Sequence, residues 1–251
     1  MTTSPNSPLM QAEGISRAFD GTYYLKDVNL TVPRGKVVCL LGQSGSGKTT
    51  LFNILAGLDK PDEGTVRLLG EDITAKPGHV AYMLQKDLLL KHLKIIDNVS
   101  LPLRLSGKSK EEARETASSY FKEFGLEGMQ LRYPAALSGG MAQRAAFLRT
   151  FLFSKELVLL DEPFSRLDAI TKTSMQDWYI TIKDKYQLTT VLITHDIDEA
   201  LRMADSILVL SPKMKTFGYT YEVTVSDRKN FSTTPDYLEA KKKIQDALLK
   251  L

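Results

Sequence analysis

Cysteine, long apolar runs and an excess of charge of one sign are all missing from this sequence of 251 residues. The single cysteine, Cys39, lies in a short apolar run, which excludes a disulfide framework and predicts a buried, reduced thiol. The longest apolar runs, such as Val37–Leu41, have only a few residues, whereas a membrane-spanning helix needs about 18. The Ser/Pro-rich start, MTTSPNSPLM, lacks the pattern of a secretory signal and is expected to fray. These absences predict a protein that stays in the cytoplasm and does not cross a membrane by itself.

The charged residues exclude another class of partner. The 33 lysines and arginines are interleaved with 30 acidic residues, and the net charge is only +3. A nucleic-acid-binding protein instead concentrates basic residues in a patch or stripe. We therefore predict no nucleic-acid partner, and the length and the 43% hydrophobic content predict one globular domain with a full core.

Short runs rich in Val, Ile and Leu alternate with amphipathic stretches of helical length. The runs are KVVCLL, VAYML, LVLL, TVLIT and SILVL. This alternation predicts an α/β fold with a mainly parallel sheet flanked by helices. Residues 10–35 have the pattern of short strands with turns at Asp20-Gly21 and at 33–35, which predicts an N-terminal antiparallel β flank.

Residues 97–152 break the alternation and predict an inserted α-helical subdomain between two parts of the α/β core, 10–96 and 153–215. One helix of this insertion is expected to begin after Ser109, a good N-cap, and to end near Gly125.

Residues 216–251 are predicted to form a short strand, YTYEVTV, and a C-terminal surface helix. Its three consecutive lysines, 241–243, either lie near anionic lipid or form a solvated face, and the second alternative is the commoner one. The helix is predicted from five apolar residues at helical spacing: Tyr237, Leu238, Ile244, Leu248 and Leu249.

The segment GQSGSGKTT lies between an apolar run and a helical pattern and matches the phosphate-binding motif G-x-x-x-x-G-K-[ST]. Its glycines let successive backbone N–H groups turn towards one anion, and the following helix adds its positive end. Lys48 is placed to reach the β- and γ-phosphates, and the Thr49 hydroxyl to bind Mg²⁺. The predicted nucleotide-binding loop comprises Gly42, Gln43, Ser44, Gly45, Ser46, Gly47, Lys48, Thr49 and Thr50.

Two adjacent carboxylates, Asp161 and Glu162, follow the buried run LVLL and are expected at the same edge of the sheet as the phosphate loop. Asp161 is a candidate for the metal shell, and Glu162 for the base that deprotonates a water in line with the γ-phosphate. Taken alone, the pair would be a turn-forming acidic pair before Pro163.

A second Ser/Gly-rich turn, LSGGMAQR at 137–144, also precedes a helical pattern. The Ser138 hydroxyl and the N–H groups of Gly139 and Gly140 suit an anion that the chain's own phosphate loop does not supply. The alternative is a simple serine N-cap with two glycines that ease a turn.

These segments, followed by SRLD and ITHD, resemble the ATP-binding subunit of an ABC transporter over about residues 10–215. Kinases and small GTPases share the first loop but not the LSGG element. The resemblance implies an ATPase with a P-loop NTPase core that uses ATP and Mg²⁺. It also implies a head-to-tail homodimer in which the LSGG turn of one subunit closes on the ATP of the other.

The same resemblance implies roles for four residues. Phe19 corresponds to the aromatic that stacks on adenine, and Gln85 to the glutamine that contacts Mg²⁺ and the attacking water. Asp168 corresponds to the loop that crosses the dimer seam, and His195 to the switch histidine that contacts the γ-phosphate.

Four other positions matter because they do not fit the family pattern. His79 and His92 have no counterpart and are expected to be ordinary surface or loop residues. Met141 replaces the glutamine most common after LSGG, and Arg166 the usual alanine, which puts the details of cross-subunit contact in doubt.

The resemblance also implies two kinds of partner, permease subunits and an extracytoplasmic solute-binding protein. It further implies a location at the cytoplasmic face of the cell membrane. The leucines of 88–93 suit a groove for a permease helix, or equally internal packing. The LSGGMAQR form, DNVSLPL and the short ending resemble importers of the nitrate, sulfonate and taurine group, which includes carriers of thiamine-precursor pyrimidines.

Three alternatives to such an importer remain. A lipid or lipoprotein exporter is one, because the permease sets the direction of transport. A non-transport ABC ATPase would need a coiled-coil insertion, zinc cysteines or tandem cassettes, and a P-loop kinase would leave LSGG and His195 unexplained.

Overall fold

The computed structural model describes residues 7–154, 156–224 and 233–251, so most of the predicted N-terminal fraying and the last residue of YTYEVTV lie outside the described residues. None of the helices in these ranges combines the length and the apolar character needed to cross a bilayer. The strands are β1 (Met10–Phe19), β2 (Thr22–Val32), β3 (Val37–Leu41), β4 (Glu63–Leu68), β5 (Glu71–Asp72), β6 (Ala81–Met83), β7 (Leu157–Asp161), β8 (Thr189–Thr194), β9 (Ser206–Leu210) and β10 (Phe217–Glu222). The helices are α1 (Lys48–Leu55), α2 (Ile95–Val99), α3 (Leu101–Leu105), α4 (Lys110–Ser118), α5 (Gly139–Phe153), α6 (Ala169–Tyr186), α7 (Ile197–Met203) and α8 (Pro235–Lys250), with a 3-10 turn at Pro134–Ala136.

The main sheet has the order β10-β9-β3-β8-β7-β6, and its five strands from β9 to β6 are parallel. Each of the five apolar runs forms one of these strands, which confirms the predicted α/β fold. Because parallel strands end at the same edge, the loops after β3, β6, β7 and β8 all meet there.

Alternation along β3 separates two hydrophobic cores. Val37, Cys39 and Leu41 face the core formed with α5, α6 and α7, whereas Val38 and Leu40 face the core formed with α1 and the smaller sheet. Cys39 is buried as predicted, and burial raises the pKa of its thiol well above the usual range.

The smaller sheet is the predicted antiparallel flank, with the order β2-β1-β4-β5. The turn between β1 and β2 has Asp20 and Gly21 at φ 48° and 75°, as the Asp-Gly signal predicts. Strands β4 and β5 were not predicted. The chain turns between these two strands at Leu69 and Gly70, both of which have positive φ. Gly70 was the available sequence signal for this turn.

The predicted helix after Ser109 ends earlier than expected. Ser109 and Glu112 form a complete capping box, but α4 ends at Ser118, not near Gly125. Beyond it, the N–H groups of Tyr120 and Phe121 bond three residues back, which tightens the chain into turns. The prediction of continuous helix over 97–152 is therefore wrong between α4 and the 3-10 turn, because burying the aromatic rings there requires turns.

An aromatic cluster joins this helical segment to the core. The Phe124 ring lies 6.0 Å from Phe147, 5.3 Å from Phe151 and 5.6 Å from Trp178, measured between ring centroids. These partners belong to α5 and α6, so the turn after α4 is held by contacts between distant parts of the chain.

Substituting Phe124 with alanine should lower the free energy of unfolding by about 3–5 kcal/mol, because the ring is fully buried. Phe153, which is 47% exposed, is the matched control, and Phe153→Ala should cost less than about 1 kcal/mol. Urea unfolding followed by circular dichroism measures both. Equal losses would contradict a structural role for the cluster.

The C-terminal helix α8 packs through a narrower face than predicted. Tyr237, Ala240 and Ile244 are buried, whereas Leu238 and Leu249 are 67% and 84% exposed. Two of the three consecutive lysines form ion pairs, Lys241 with Asp198 at 2.6 Å and Lys243 with Glu239 at 2.6 Å, which supports the solvated-face interpretation.

Candidate nucleotide site

The predicted phosphate loop joins β3 to α1, and its glycines are required by close contacts. Gly45 and Gly47 have φ 77° and 99°. A Cβ on Gly47 would lie 2.8 Å from the Tyr24 carbonyl oxygen, and one on Gly42 would lie 2.9 Å from the Leu210 carbonyl oxygen. The loop is thus seated against both sheets.

Lys48 folds back over this loop. Its ammonium donates to the carbonyls of Gly42 and Gln43, both at 2.8 Å. Burial lowers the pKa of Lys48, while the charges of Glu162 and Asp161 act in the opposite direction. Neutral carbonyls therefore hold the ammonium close to the loop. Charged phosphate oxygens would bind this ammonium more strongly than the carbonyls do.

Asp161 and Glu162 lie at the end of β7. Burial, followed by the adjacent Glu162 charge, raises the pKa of Asp161, and the Tyr82 hydroxyl lies 3.5 Å from its Oδ2. Glu162 has φ 46°, a left-handed conformation that costs a non-glycine residue about 1–3 kcal/mol. Such strain is typical of functional positions, because the surrounding structure must maintain it.

The Glu162 carboxylate joins two other predicted residues. Its Oε1 lies 3.0 Å from His195 Nδ1, and its Oε2 accepts from the Gln85 amide at 3.1 Å. Gln85, Glu162 and His195 follow β6, β7 and β8, three adjacent strands. The structure thus brings together the three residues predicted to be catalytic.

A cleft of 530 Å³ lies in front of the loop. Thr49 and Asp161 offer it oxygen donors, the ligand type that Mg²⁺ prefers. In the described ranges, the His, Cys, Asp and Glu side chains form no cluster of three that could hold a metal ion. The lining residues are Tyr24, Ser44, Gly45, Gly47, Lys48, Thr49, Thr50, Asp161, Glu162, Ile193 and His195.

Phe19, the predicted adenine-stacking residue, does not itself line the cleft. Its ring is 42% exposed and packs edge-on against Tyr24 at 5.3 Å, with the Arg17 guanidinium 4.5 Å from its centroid. Tyr24 does line the cleft and was missed by sequence reasoning, although its exposed position just after the Asp20-Gly21 turn was a signal.

Ser138 and Asp168 lie elsewhere on the surface and are not among the cleft-lining residues. Ser138 caps α5 by accepting from the Met141 N–H at 3.3 Å, and Asp168 caps α6 by accepting from the Thr171 N–H at 3.0 Å. The N-cap alternative for Ser138 is therefore correct locally. This cap uses the oxygen of the Ser138 hydroxyl. The hydroxyl proton and the first-turn N–H groups of Gly139 and Gly140 can still donate to a further group.

The two departures from the family pattern differ in setting. Met141 packs against the larger core and leaves the Ser138 cap in place, whereas Arg166 is exposed. Gln143, another residue that sequence reasoning missed, is buried and donates to the Pro163 carbonyl, so it ties α5 to the segment after Glu162. No sequence spacing signals this contact.

Comparison with known proteins places the chain in a family. The ABC transporter family profile matches residues 25–165, which is more than half of the 251 residues. The formylaminopyrimidine import ATP-binding protein ThiZ of Halalkalibacterium halodurans is 43% identical over 228 residues, covering 90% of this chain and 89% of the relative. The sulfate/thiosulfate import ATP-binding protein CysA of Bacillus cereus is 39% identical over 222 residues, 85% of this chain, which spans only 62% of that relative.

A solved dimer has the same fold. MJ0796, a bacterial ABC transporter cassette, aligns with a TM-score of 0.73 and 28% identity over 86% of this chain and 99% of its own. The chain belongs to the ABC transporter family as an ATP-binding subunit, an ATPase of the kind that powers transport.

Proposed function

We propose that this chain binds Mg-ATP and hydrolyses it in a head-to-tail homodimer that drives a membrane permease. The observation that carries the proposal is the Glu162 carboxylate, held between Gln85 and His195 beside the phosphate-loop cleft. A carboxylate so placed can accept a proton from a water that attacks the γ-phosphate.

The proposed chemistry is divided among the chain's own residues. The loop amides and Lys48 hold the phosphates, and Mg²⁺, held by Thr49, Asp161 and Gln85, would neutralise charge that develops on the phosphate oxygens. Glu162 takes the proton from the attacking water. His195, already in contact with Glu162, fixes the direction of that carboxylate and is near enough to the cleft to contact the γ-phosphate.

The second half of each site is proposed to come from a partner subunit. Ser138, Gly139, Gly140 and Asp168 lie outside the cleft, and the capped start of α5 is exposed. In a two-fold dimer, the same surface of each chain can then cover the ATP of the other. ATP would hold the dimer closed, and hydrolysis would release it.

A permease contact is proposed at a groove of 310 Å³ beside Gln85. Leu88, 50% exposed, lines it with Pro102 and Phe153, whereas Leu89 is buried. The two interpretations of the leucine segment therefore apply to different residues. A groove lined by apolar side chains together with Lys86, Asp87 and Arg149 suits an amphipathic helix from a permease at the cytoplasmic face of the membrane.

Substituting Leu88 with glutamate should abolish permease-stimulated hydrolysis, because it replaces an exposed apolar contact of the groove with a charge, and leave the low activity of the isolated subunit unchanged. Leu105→Glu is the matched control, since Leu105 is 81% exposed and does not line the groove. ATPase assays with and without permease in proteoliposomes measure both. Equal stimulation of the two variants would contradict the groove assignment.

The cargo is proposed to be a small anionic or pyrimidine-type solute that is imported, as in the nitrate, sulfonate and taurine group. The names of the relatives support this choice, since ThiZ is described for formylaminopyrimidine import and CysA for sulfate and thiosulfate import. Import implies an extracytoplasmic solute-binding protein as a further partner.

Proteoliposomes containing the chain, its permease and that protein should take up one labelled solute from a panel of formylaminopyrimidine, taurine, nitrate and sulfate only when ATP is supplied. ATP-driven movement in the opposite direction would contradict import.

A further inference from the structure

Side-chain hydrogen bonds hold the segment that follows His195. The Asp196 N–H donates to Thr194 Oγ1 at 3.0 Å, and Asp196 Oδ1 accepts from the N–H groups of Asp198 and Glu199 at 2.8 and 3.2 Å. Asp196 therefore caps α7 with one carboxylate oxygen and leaves the other, Oδ2, for a different partner.

That partner is Lys172, from α6. Its ammonium lies 2.6 Å from Asp196 Oδ2 and 2.8 Å from Glu199 Oε2. The Glu199 side chain is only 2% exposed and that of Lys172 20%, so these charges are largely removed from water. Burial alone would lower the pKa of Lys172, but the bonds to the two carboxylates raise it, so the ammonium stays charged. Removing one member of such a group leaves a buried charge without its partner.

Lys172 is also one helical turn from the predicted dimer seam. Its backbone N–H donates to the Asp168 carbonyl at 2.8 Å, and the Asp168 side chain caps the same helix. Lys172 thus connects two regions. Its backbone N–H bonds to the start of α6, and its side chain binds Asp196, the residue next to His195. Lys172 is not among the residues that line the nucleotide cleft.

We propose that Lys172 is a positioning residue that fixes His195 relative to the first turn of α6, so that engagement of Asp168 by a partner subunit and the orientation of His195 change together. The inference rests on the proposed function, in which Asp168 lies at the seam and His195 acts in hydrolysis. Lys172 acts through Asp196 and Glu199 and does not line the nucleotide cleft.

The first test separates turnover from binding. Lys172→Met should lower kcat by about ten- to a hundredfold, because a displaced catalytic group loses its alignment, while the Kd for a non-hydrolysable ATP analogue changes less than about twofold. Lys172→Arg should restore most of the loss, since a guanidinium can also bridge two carboxylates. Lys183→Met, on the same helix and with its ion pair to the neighbouring Asp184, should change neither quantity.

The second test observes His195 without turnover. The chain has three histidines, His79, His92 and His195, so ring resonances in a carbon-13 spectrum can be assigned by substitution. Lys172→Met should shift only the His195 resonance. Asp196→Asn should do the same, because asparagine keeps the α7 cap but loses the charge that holds Lys172.

The outcomes distinguish the inference from the function on which it rests. An unchanged His195 resonance in Lys172→Met, or equal losses in kcat and in ATP affinity, would overturn the positioning role even if His195→Ala abolishes hydrolysis. Normal hydrolysis by His195→Ala would overturn the role of His195 in the proposed function, and this inference with it, whereas Glu162→Gln tests the proposed function itself.

Discussion

Glu162→Gln is expected to lower ATP hydrolysis by about 10²–10⁴-fold, the usual contribution of a general base, and to trap an ATP-bound dimer. Glutamine keeps the size of the side chain and one oxygen that can accept from Gln85, but it cannot take a proton from water. Lys48 and the loop amides are unchanged, so ATP should still bind. Without hydrolysis, the contacts that close the dimer should persist.

Size-exclusion chromatography in saturating Mg-ATP measures this dimer directly, and a phosphate-release assay measures turnover. Glu127→Gln is the matched control, because Glu127 is exposed and does not line the cleft. It should hydrolyse ATP and elute as the unmodified protein does. A Glu162→Gln variant that binds ATP yet stays monomeric would show that bound ATP does not hold two chains together, and would contradict the proposed mechanism.

Gln85 and His195 were identified through the family resemblance, but the meeting of these two residues with Glu162 follows from local pattern and topology. Each follows a short apolar strand, and parallel strands of one sheet end at one edge. The phosphate-loop glycines were predictable for a related reason, since few backbone conformations allow successive amides to face one anion. These features need no knowledge of long-range side-chain packing.

The features that were missed depend on contacts between distant parts of the chain. The end of α4 is set by Phe124 packing against Phe147 and Trp178, which belong to two later helices. The Lys172–Asp196 ion pair joins residues 24 positions apart without periodicity. For α8, the sequence pattern indicated a helix but not which of its sides packs on the core, so exposed Leu238 was grouped with buried Tyr237.

Mixing two inactive variants should restore hydrolysis if each site is built from two chains. Lys48→Ala removes the ammonium that lies at the phosphate loop. Ser138→Asp keeps a good N-cap for α5 but places a negative charge where the partner's phosphates are proposed to bind. Each variant alone has two defective sites per dimer. A heterodimer has one site with both defects and one with an unaltered loop and an unaltered LSGG turn, so a statistical mixture should recover about a quarter of the wild-type rate.

The matched control mixes Lys48→Ala with Glu162→Gln. Both of these residues lie on the same side of the site, lining the cleft of a single chain, so every site in that heterodimer carries one defect and no activity should return. The contrast between the two mixtures isolates the geometry, because both contain the Lys48→Ala chain and the two chains of each mixture are combined before ATP is added. If differently tagged chains co-purify in both mixtures and neither recovers activity, Ser138 does not act on the nucleotide of its partner. If Ser138→Asp alone retains full activity, the second Ser/Gly-rich turn is a helix cap and nothing more.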